Sequence, residues 1–251
     1  MPFWSKTEDG VEDDTTPCWF LDIFRCWFRF ALLLHVPTKL LCLAAYTFIV
    51  SLKNPSPSAS VLSFLSTIFA ATGGGILVPL FLNVNLVPLA NDYYILFCLS
   101  WFALLNRFPI VGEVYNGSHY LQFFGIIAFE LHRASVVTKL TILASATLPA
   151  SVLSFPLFGP ILCGTLGGCG GAFFPLSKGL QPVREGLTVP MMTAFLASAG
   201  LHLFVHDPIG VFECCSEREE VGAIVVALYF VSVSLFKLYK NIKAQTKAKE
   251  D

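Results

Sequence analysis

Long apolar stretches alternate along the chain with short polar, turn-rich joins. Seven such stretches stand out, at about 28–50, 60–82, 88–108, 121–145, 150–176, 187–205 and 221–239. One helical crossing of a bilayer needs roughly 20 apolar residues. Inside lipid every backbone amide must bond within its own segment, and the short alternating segments of a barrel are absent, so the pattern predicts helices. The joins carry turn residues: Asn54-Pro-Ser-Pro57, Asn83 to Pro88, Arg107 to Gly117, Lys178 to Gly186 and Asp207 to Glu220. The weakest join lies near Pro149. The reading is an all-α integral membrane protein. An acidic tail over 1–22 precedes a seven-helix membrane domain over 23–240, and a basic tail over 241–251 follows it.

Composition strengthens this reading. Hydrophobic types make up 55% of the chain and charged types 13%, whereas soluble domains carry about 25% charged residues. No Asp, Glu, Lys or Arg occurs from Asn54 to Asn91 or from Leu140 to Ser177. A soluble core has no use for such lengths without charge. The first residues hold Glu8, Asp9, Glu12, Asp13 and Asp14 against Lys6, unlike the basic start of a cleavable signal peptide. Insertion then relies on the first spanning helix. The net charge of −1 points to no partner class. Eight cysteines show no metal-ligand spacing. The adjacent Cys214 and Cys215 read as free or palmitoylated thiols.

Basic residues orient the bundle. Lys237, Lys240, Lys243, Lys247 and Lys249 follow or end the last stretch, which places that end in the cytosol. With seven crossings the N-terminus is lumenal. Lys53, Arg107, Lys178 and Arg184 then fall in cytosolic joins, and the acidic join with Glu213, Glu217, Glu219 and Glu220 lies outside. Arg25 and Arg29 run against this assignment. Asn116-Gly-Ser118 fits the glycosylation pattern but sits in a cytosolic join, so it is expected to stay unmodified. Lys247 and Lys249 have the form of a dilysine retrieval signal, which favours the endoplasmic reticulum.

The chain repeats itself. Gly74-Gly-Ile-Leu-Val-Pro-Leu80 and Gly170-Gly-Ala-Phe-Phe-Pro-Leu176 both read G-G-x-x-x-P-L, 96 residues apart. Phe108-Pro109 and Asp207-Pro208 are 99 apart, and Thr38-Lys39-Leu40 and Thr138-Lys139-Leu140 are 100 apart. These offsets define repeat one at about 28–109 and repeat two at about 121–208, with helix seven at about 221–239. Three crossings per unit force the second copy to insert upside down. The result is a pair of inverted repeats, and in such folds Gly/Pro-interrupted segments mark the permeation site near the midplane.

Two readings of the glycines stay open. Gly73, Gly74 and Gly75, with Gly167, Gly168, Gly170 and Gly171, let backbones approach closely. Alternatively, Gly74, Gly75, Gly170 and Gly171 are hinges of a pore wall, loosened by Pro79 and Pro175, each of which deletes a backbone hydrogen bond. Ionisable residues inside a bilayer mark function by default. Here they are Lys39 and His35 in the first span and Glu130, His132, Arg133 and Lys139 in the fourth. Glu130 and Arg133 share a helix face and pair, or Arg133 holds a lipid phosphate. His202, His206 and Asp207 lack the further ligands a metal needs. No nucleophile motif, phosphate loop, zinc motif or nucleic-acid motif occurs, so an enzyme is not expected.

The ordered set Gly73-Gly-Gly-Ile-Leu77, Leu89-Ala-Asn91, Ile95-Leu96, Ser100-Trp101 and Pro109 resembles helices two and three of the trimeric intracellular cation (TRIC) channels. Gly170-Gly171 resembles that family's helix-five glycines, and Thr188-Val-Pro190 the start of its helix six. The resemblance covers about 46–205. It implies a homotrimer with one pore per protomer, passing potassium and sodium in the endoplasmic or sarcoplasmic reticulum as counter-ion current during calcium release. It also implies phosphatidylinositol bisphosphate as a bound lipid, at a helix-four motif K-E-V-x-R. Here that motif reads Phe129-Glu-Leu-His-Arg133, and two further family lysines are Gly167 and Met192. Three positive charges are missing around the lipid site.

The expected function is a monovalent cation channel. Gly74, Gly75, Pro79, Gly170, Gly171 and Pro175 form the pore walls and hinges. Glu130, Arg133, Lys139 and Lys39 serve gating or lipid binding. On this reading Arg133→Ala alters gating more than assembly. The alternatives are a secondary carrier built on inverted repeats and a non-conducting membrane scaffold.

Overall fold

The computed structural model describes residues 36–54, 60–150, 155–173, 184, 186, 188–207 and 218–250, with 245–250 as backbone only. Among the described residues the fold is all helical. The helices are α1 (Val36–Lys53), α2 (Val61–Leu82), α3 (Val87–Ala90), α4 (Asp92–Arg107), α5 (Ile110–Gly117), α6 (His119–Thr147), α7 (Phe158–Cys169), α8 (Val189–His206) and α9 (Arg218–Glu250). A 3-10 turn, Gly170–Phe173, continues α7.

The local chemistry sets the ends. The Ser60 hydroxyl caps α2 by accepting from the Ser63 amide at 3.2 Å. Asn83 closes α2 in the left-handed region at φ 53°, a conformation Asn tolerates. Asn91 stops α3 and starts α4, its side-chain oxygen accepting from the Tyr93 amide at 3.1 Å. That cap breaks the stretch expected as one span over 88–108. The hydrophobic stretch expected over 150–176 begins its described helix only at Phe158 and tightens to 3-10 geometry at Gly170. Pro156 and Pro160 disfavour an earlier start. Helix α9 outruns its expected end at 239 and takes up most of the basic tail. Beyond Gly222 there is no Gly or Pro to stop it, and Lys, Gln and Ala are good helix formers. The expected acidic tail, Arg25, Arg29, Lys178, Pro175 and the Cys214–Cys215 pair lie outside the described residues.

Helices α1, α2, α8 and Arg218–Ala244 of α9 are each long and apolar enough to cross a bilayer. Helices α4 and α5, bent by 96° at Phe108–Pro109, make a fifth crossing if the pair counts as one. Helix α6 has 29 residues, so at 1.5 Å per residue it is about 43 Å long and exceeds the roughly 30 Å hydrocarbon layer. It carries Glu130, Arg133 and Lys139 inside that length.

The helices fall into two triplets. Helix α4 packs on α1 and α2, and α8 packs on α6 and α7. Helices α2 and α7 cross antiparallel. A Cβ at Gly73 would sit 2.6 Å from the Gly170 carbonyl oxygen, and one at Gly74 2.6 Å from the Gly167 carbonyl oxygen. A Cβ at Gly171 would collide with the Ala70 carbonyl, and one at Gly170 with Gly74 itself. Gly74 and Gly170 are the first glycines of the two repeat motifs, so equivalent residues meet. Helices α1 and α6 also run antiparallel: Lys53 lies over Phe129 and Tyr46 on His132, while Lys39 shares a cavity wall with Lys139. An inverted duplication brings equivalent residues face to face at its axis in this way. Apolar cores back the crossing. Val78, Leu140, Ala144 and Cys163 pack between α2, α6 and α7. Ala134, Val137, Ala194, Ala197, Leu201, Val226, Ala227 and Phe230 join α6, α8 and α9.

Candidate functional site

Between the two triplets lies a cavity of about 1010 Å³. Helices α1, α2, α4, α6, α7, α8 and α9 all contribute to its wall. On α1 the lining residues Lys39, Tyr46 and Lys53 are spaced by seven, so they share one face. Fourteen residues of helix separate Lys39 from Lys53 by about 21 Å. The cavity therefore extends through about two thirds of a hydrocarbon layer roughly 30 Å thick.

At the level of Tyr46 the wall is closed by a clasp around Arg133. Its Nη1 donates to Glu130 Oε2 at 3.1 Å. Its Nε donates to the Gly168 carbonyl at 2.8 Å, on α7. Its Nη2 donates to the Pro190 carbonyl at 2.5 Å and to the Thr193 hydroxyl at 3.0 Å, both on α8. The guanidinium lies 4.4 Å from the centroid of the Phe230 ring on α9. The other Glu130 oxygen accepts from the Ser234 hydroxyl of α9 at 2.7 Å. Glu130 and Arg133 are 5% and 8% exposed, so this pair is buried and satisfied on several sides. One arginine thus ties four helices together, with the fork geometry that lysine lacks.

Beside the clasp is an aromatic group. Tyr46 stacks on Phe129 at 5.0 Å and donates its hydroxyl to the Ala71 carbonyl at 2.9 Å. The Tyr94 hydroxyl and His132 Nε2 are 2.8 Å apart. At one end of the cavity the Lys53 ammonium lies 4.9 Å over the Phe129 ring, and Lys240 lies 4.7 Å over Phe236. Lys237 lines the same end, and Lys39 and Lys139 line the other. Among the lining residues five lysines and Arg133 face a single acid, Glu130.

Of the residues singled out from sequence, Gly74, Gly75, Gly170, Gly171, Glu130, Arg133, Lys39 and Lys139 all line this cavity. Pro79 is buried inside α2, where it has no N–H for the Gly75 carbonyl four residues back. Pro175 lies outside the described residues. Sequence reasoning took Lys53, Lys237 and Lys240 as topology markers only and Gly168 only as a site of close backbone approach, and it passed over Tyr46, Tyr94, Thr193 and Ser234. The seven-residue spacing of Lys39, Tyr46 and Lys53 was the available sign. Phe230, Ser234, Lys237 and Asn241 form a second such face on α9.

No family model matches the chain, and no curated protein matches it by sequence. Solved structures do. The chain is similar to a trimeric intracellular cation channel from C. elegans in the absence of Ca2+, with a TM-score of 0.62 and 17% identity, covering 86% of this chain and 97% of that one. The same comparison with the C. elegans channel with bound Ca2+ gives 0.62 and 14%, over 86% and 95%. A structure described as the structural basis for activity of TRIC counter-ion channels in calcium release gives 0.61 and 16%, over 81% and 92%. The chain has the fold of the TRIC channels. Sequence identity this low leaves the TRIC likeness at the level of the fold.

Proposed function

We propose that the chain is a monovalent cation channel of the endoplasmic or sarcoplasmic reticulum membrane. It works as a homotrimer with one pore in each protomer, and passes potassium and sodium as counter-ion current during calcium release. The cavity carries this reading: it extends about 21 Å along α1, between two antiparallel triplets, in a chain whose solved structural neighbours are described as cation channels. The Tyr46 hydroxyl, whose proton goes to the Ala71 carbonyl, keeps its oxygen lone pairs for a partly dehydrated ion.

Charge opposes this flow. Rings of lysine repel cations. Glu130 balances Arg133, which leaves the lysines of the two ends. Anionic lipid supplies the missing negative charge at the Lys53, Lys237 and Lys240 end, where phosphatidylinositol bisphosphate is the proposed occupant. Lys53 on α1 brings an ammonium to the place beside Phe129, so the basic site survives the absence of a lysine at 129. Arg133 acts there as the clasp behind the site.

Recording in a planar bilayer with asymmetric potassium chloride tests the proposal. Discrete steps reversing near the potassium potential, enlarged by the phosphoinositide, are the expected result. Saturable flux without steps would favour a carrier. Silence from confirmed, oriented protein would favour a scaffold. Reversal at the chloride potential would sink the cation reading.

A further inference from the structure

An inverted duplication makes residues near its axis meet their own copies. At the α2–α7 crossing the copies are glycines, and closeness is favourable. At the α1–α6 crossing they are Lys39 and Lys139, and closeness is not. Both lysines line the cavity and lie within electrostatic reach of each other. No ion pair within the described residues involves either of them. The one acid of the cavity wall, Glu130, is taken up by Arg133 and Ser234. Lys139 is eight residues short of the end of α6, about 12 Å along the axis. Both side chains are exposed in the protomer, so an anion can reach them, and two ammonium groups in electrostatic reach of each other favour a counter-anion.

The remaining polar groups at this end fit an anion. Asn91 lines the cavity, and its side-chain oxygen already accepts from the Tyr93 amide, so its NH2 is the group left to offer. The Tyr94 hydroxyl is engaged with His132. Two ammonium groups and one amide donor make a donor-only site. A cation finds no carboxylate there.

We infer that Lys39, Lys139 and Asn91 form a binding site for a phosphate-class oxyanion, at the opposite end of the cavity from Lys53, Lys237 and Lys240. The occupant is a lipid headgroup phosphate or free inorganic phosphate. The inference holds whichever ion the cavity passes, and its test needs no current. The melting temperature of the full-length protein is measured in detergent while inorganic phosphate is titrated at constant ionic strength against chloride. A second arm compares nanodiscs of phosphatidylglycerol with nanodiscs of phosphatidylcholine. Wild type and a Lys53→Gln/Lys237→Gln variant are expected to melt higher with the oxyanion, and Lys39→Gln/Lys139→Gln is expected to lose at least half of that shift. If the double variant does not fold, Lys39→Gln and Lys139→Gln singly are read in the same way, with Lys139→Arg expected to keep the shift. A response to inorganic phosphate assigns a free anion, and a response to phosphatidylglycerol alone assigns a headgroup. No shift in either arm overturns the inference, as does a shift of which more than half persists without Lys39 and Lys139.

Discussion

The two triplets share a crossing but are sealed by different chemistry. In the first, α1, α2 and α4 are joined by rings and a hydroxyl. Phe48 meets Trp101 at 4.9 Å, Phe64 meets Phe102 at 5.5 Å, and Tyr46 bonds the Ala71 carbonyl. In the second, α6, α7 and α8 are joined by the buried Arg133 and Glu130. One repeat offset of 100 earlier the sequence has Phe30 and Leu33, so the ionic pair belongs to one unit alone. What separates the units is α9, which packs on α6 and α8. Its Phe230 and Ser234 complete the clasp. A duplicated scaffold can thus hold its symmetric crossing while one copy acquires a buried charge pair, provided an added helix satisfies that pair.

The comparison breaks first at the clasp. Arg133→Ala leaves Glu130 buried beside Ser234 and opens the Gly168 and Pro190 carbonyls. Removing one partner of a buried pair costs about 3–5 kcal/mol. The expected result is a large drop in melting temperature in detergent, with α9 becoming sensitive to protease. Glu130→Gln combined with Arg133→Met should recover most of the loss, because no charge is then stranded. The expectation that Arg133→Ala alters gating more than assembly is a separate matter, since the stability loss predicted here falls within the protomer. Gating altered at unchanged stability would show that the clasp does not hold α9.

Next comes the shared crossing. Gly170→Val puts branched carbons against the backbone of Gly74. Overpacking of this kind costs about 1–3 kcal/mol. The mirror substitution Gly74→Val should cost a similar amount, since the two positions meet each other. Melting of the two variants side by side checks this, and strongly unequal losses would deny the axis. A smaller effect is expected in the first unit. Tyr46→Phe deletes one hydrogen bond and keeps the stacking on Phe129, a loss of about 1 kcal/mol. A loss as large as that of Arg133→Ala would remove the contrast between the units.

Much of this arrangement was legible in the chain. The repeated G-G-x-x-x-P-L motif predicted an inverted duplication and left its glycines open between close backbone approach and pore hinges, and the structure brings those glycines together. The spacing of Glu130 and Arg133 allowed their pairing, beside a lipid phosphate as the other partner for Arg133, and the structure forms the pair at 3.1 Å. The remaining partners of Arg133 were hidden because they are backbone carbonyls, which any residue supplies, and because Thr193 and Ser234 are ordinary in sequence. Lys53 and Lys237 were read by hydropathy as helix-end markers, since hydropathy sees distance along one helix and not the approach of two. The break at Asn91 and the late start of α7 were missed because a side-chain cap and two prolines outweigh an unbroken apolar run.

The smallest expected effect tests whether a glycine matters for its neighbours or for its type. Gly200 in α8 is exposed, and a Cβ there meets nothing within 4 Å in the protomer. Gly170, by contrast, faces backbone at once. If close approach is what the crossing glycines supply, Gly200→Ala should leave melting unchanged or raise it by up to about 1 kcal/mol, the helix preference of alanine over glycine. The proposed trimer adds a second reading of the same variant. Should Gly200→Ala keep the protomer folded but lower the mass seen by light scattering, the open face of α8 is covered by another copy. Gly200 would then be a crossing glycine between chains, as Gly170 is within one. An unchanged mass with unchanged melting places that face against lipid and confines the close glycine contacts to the axis.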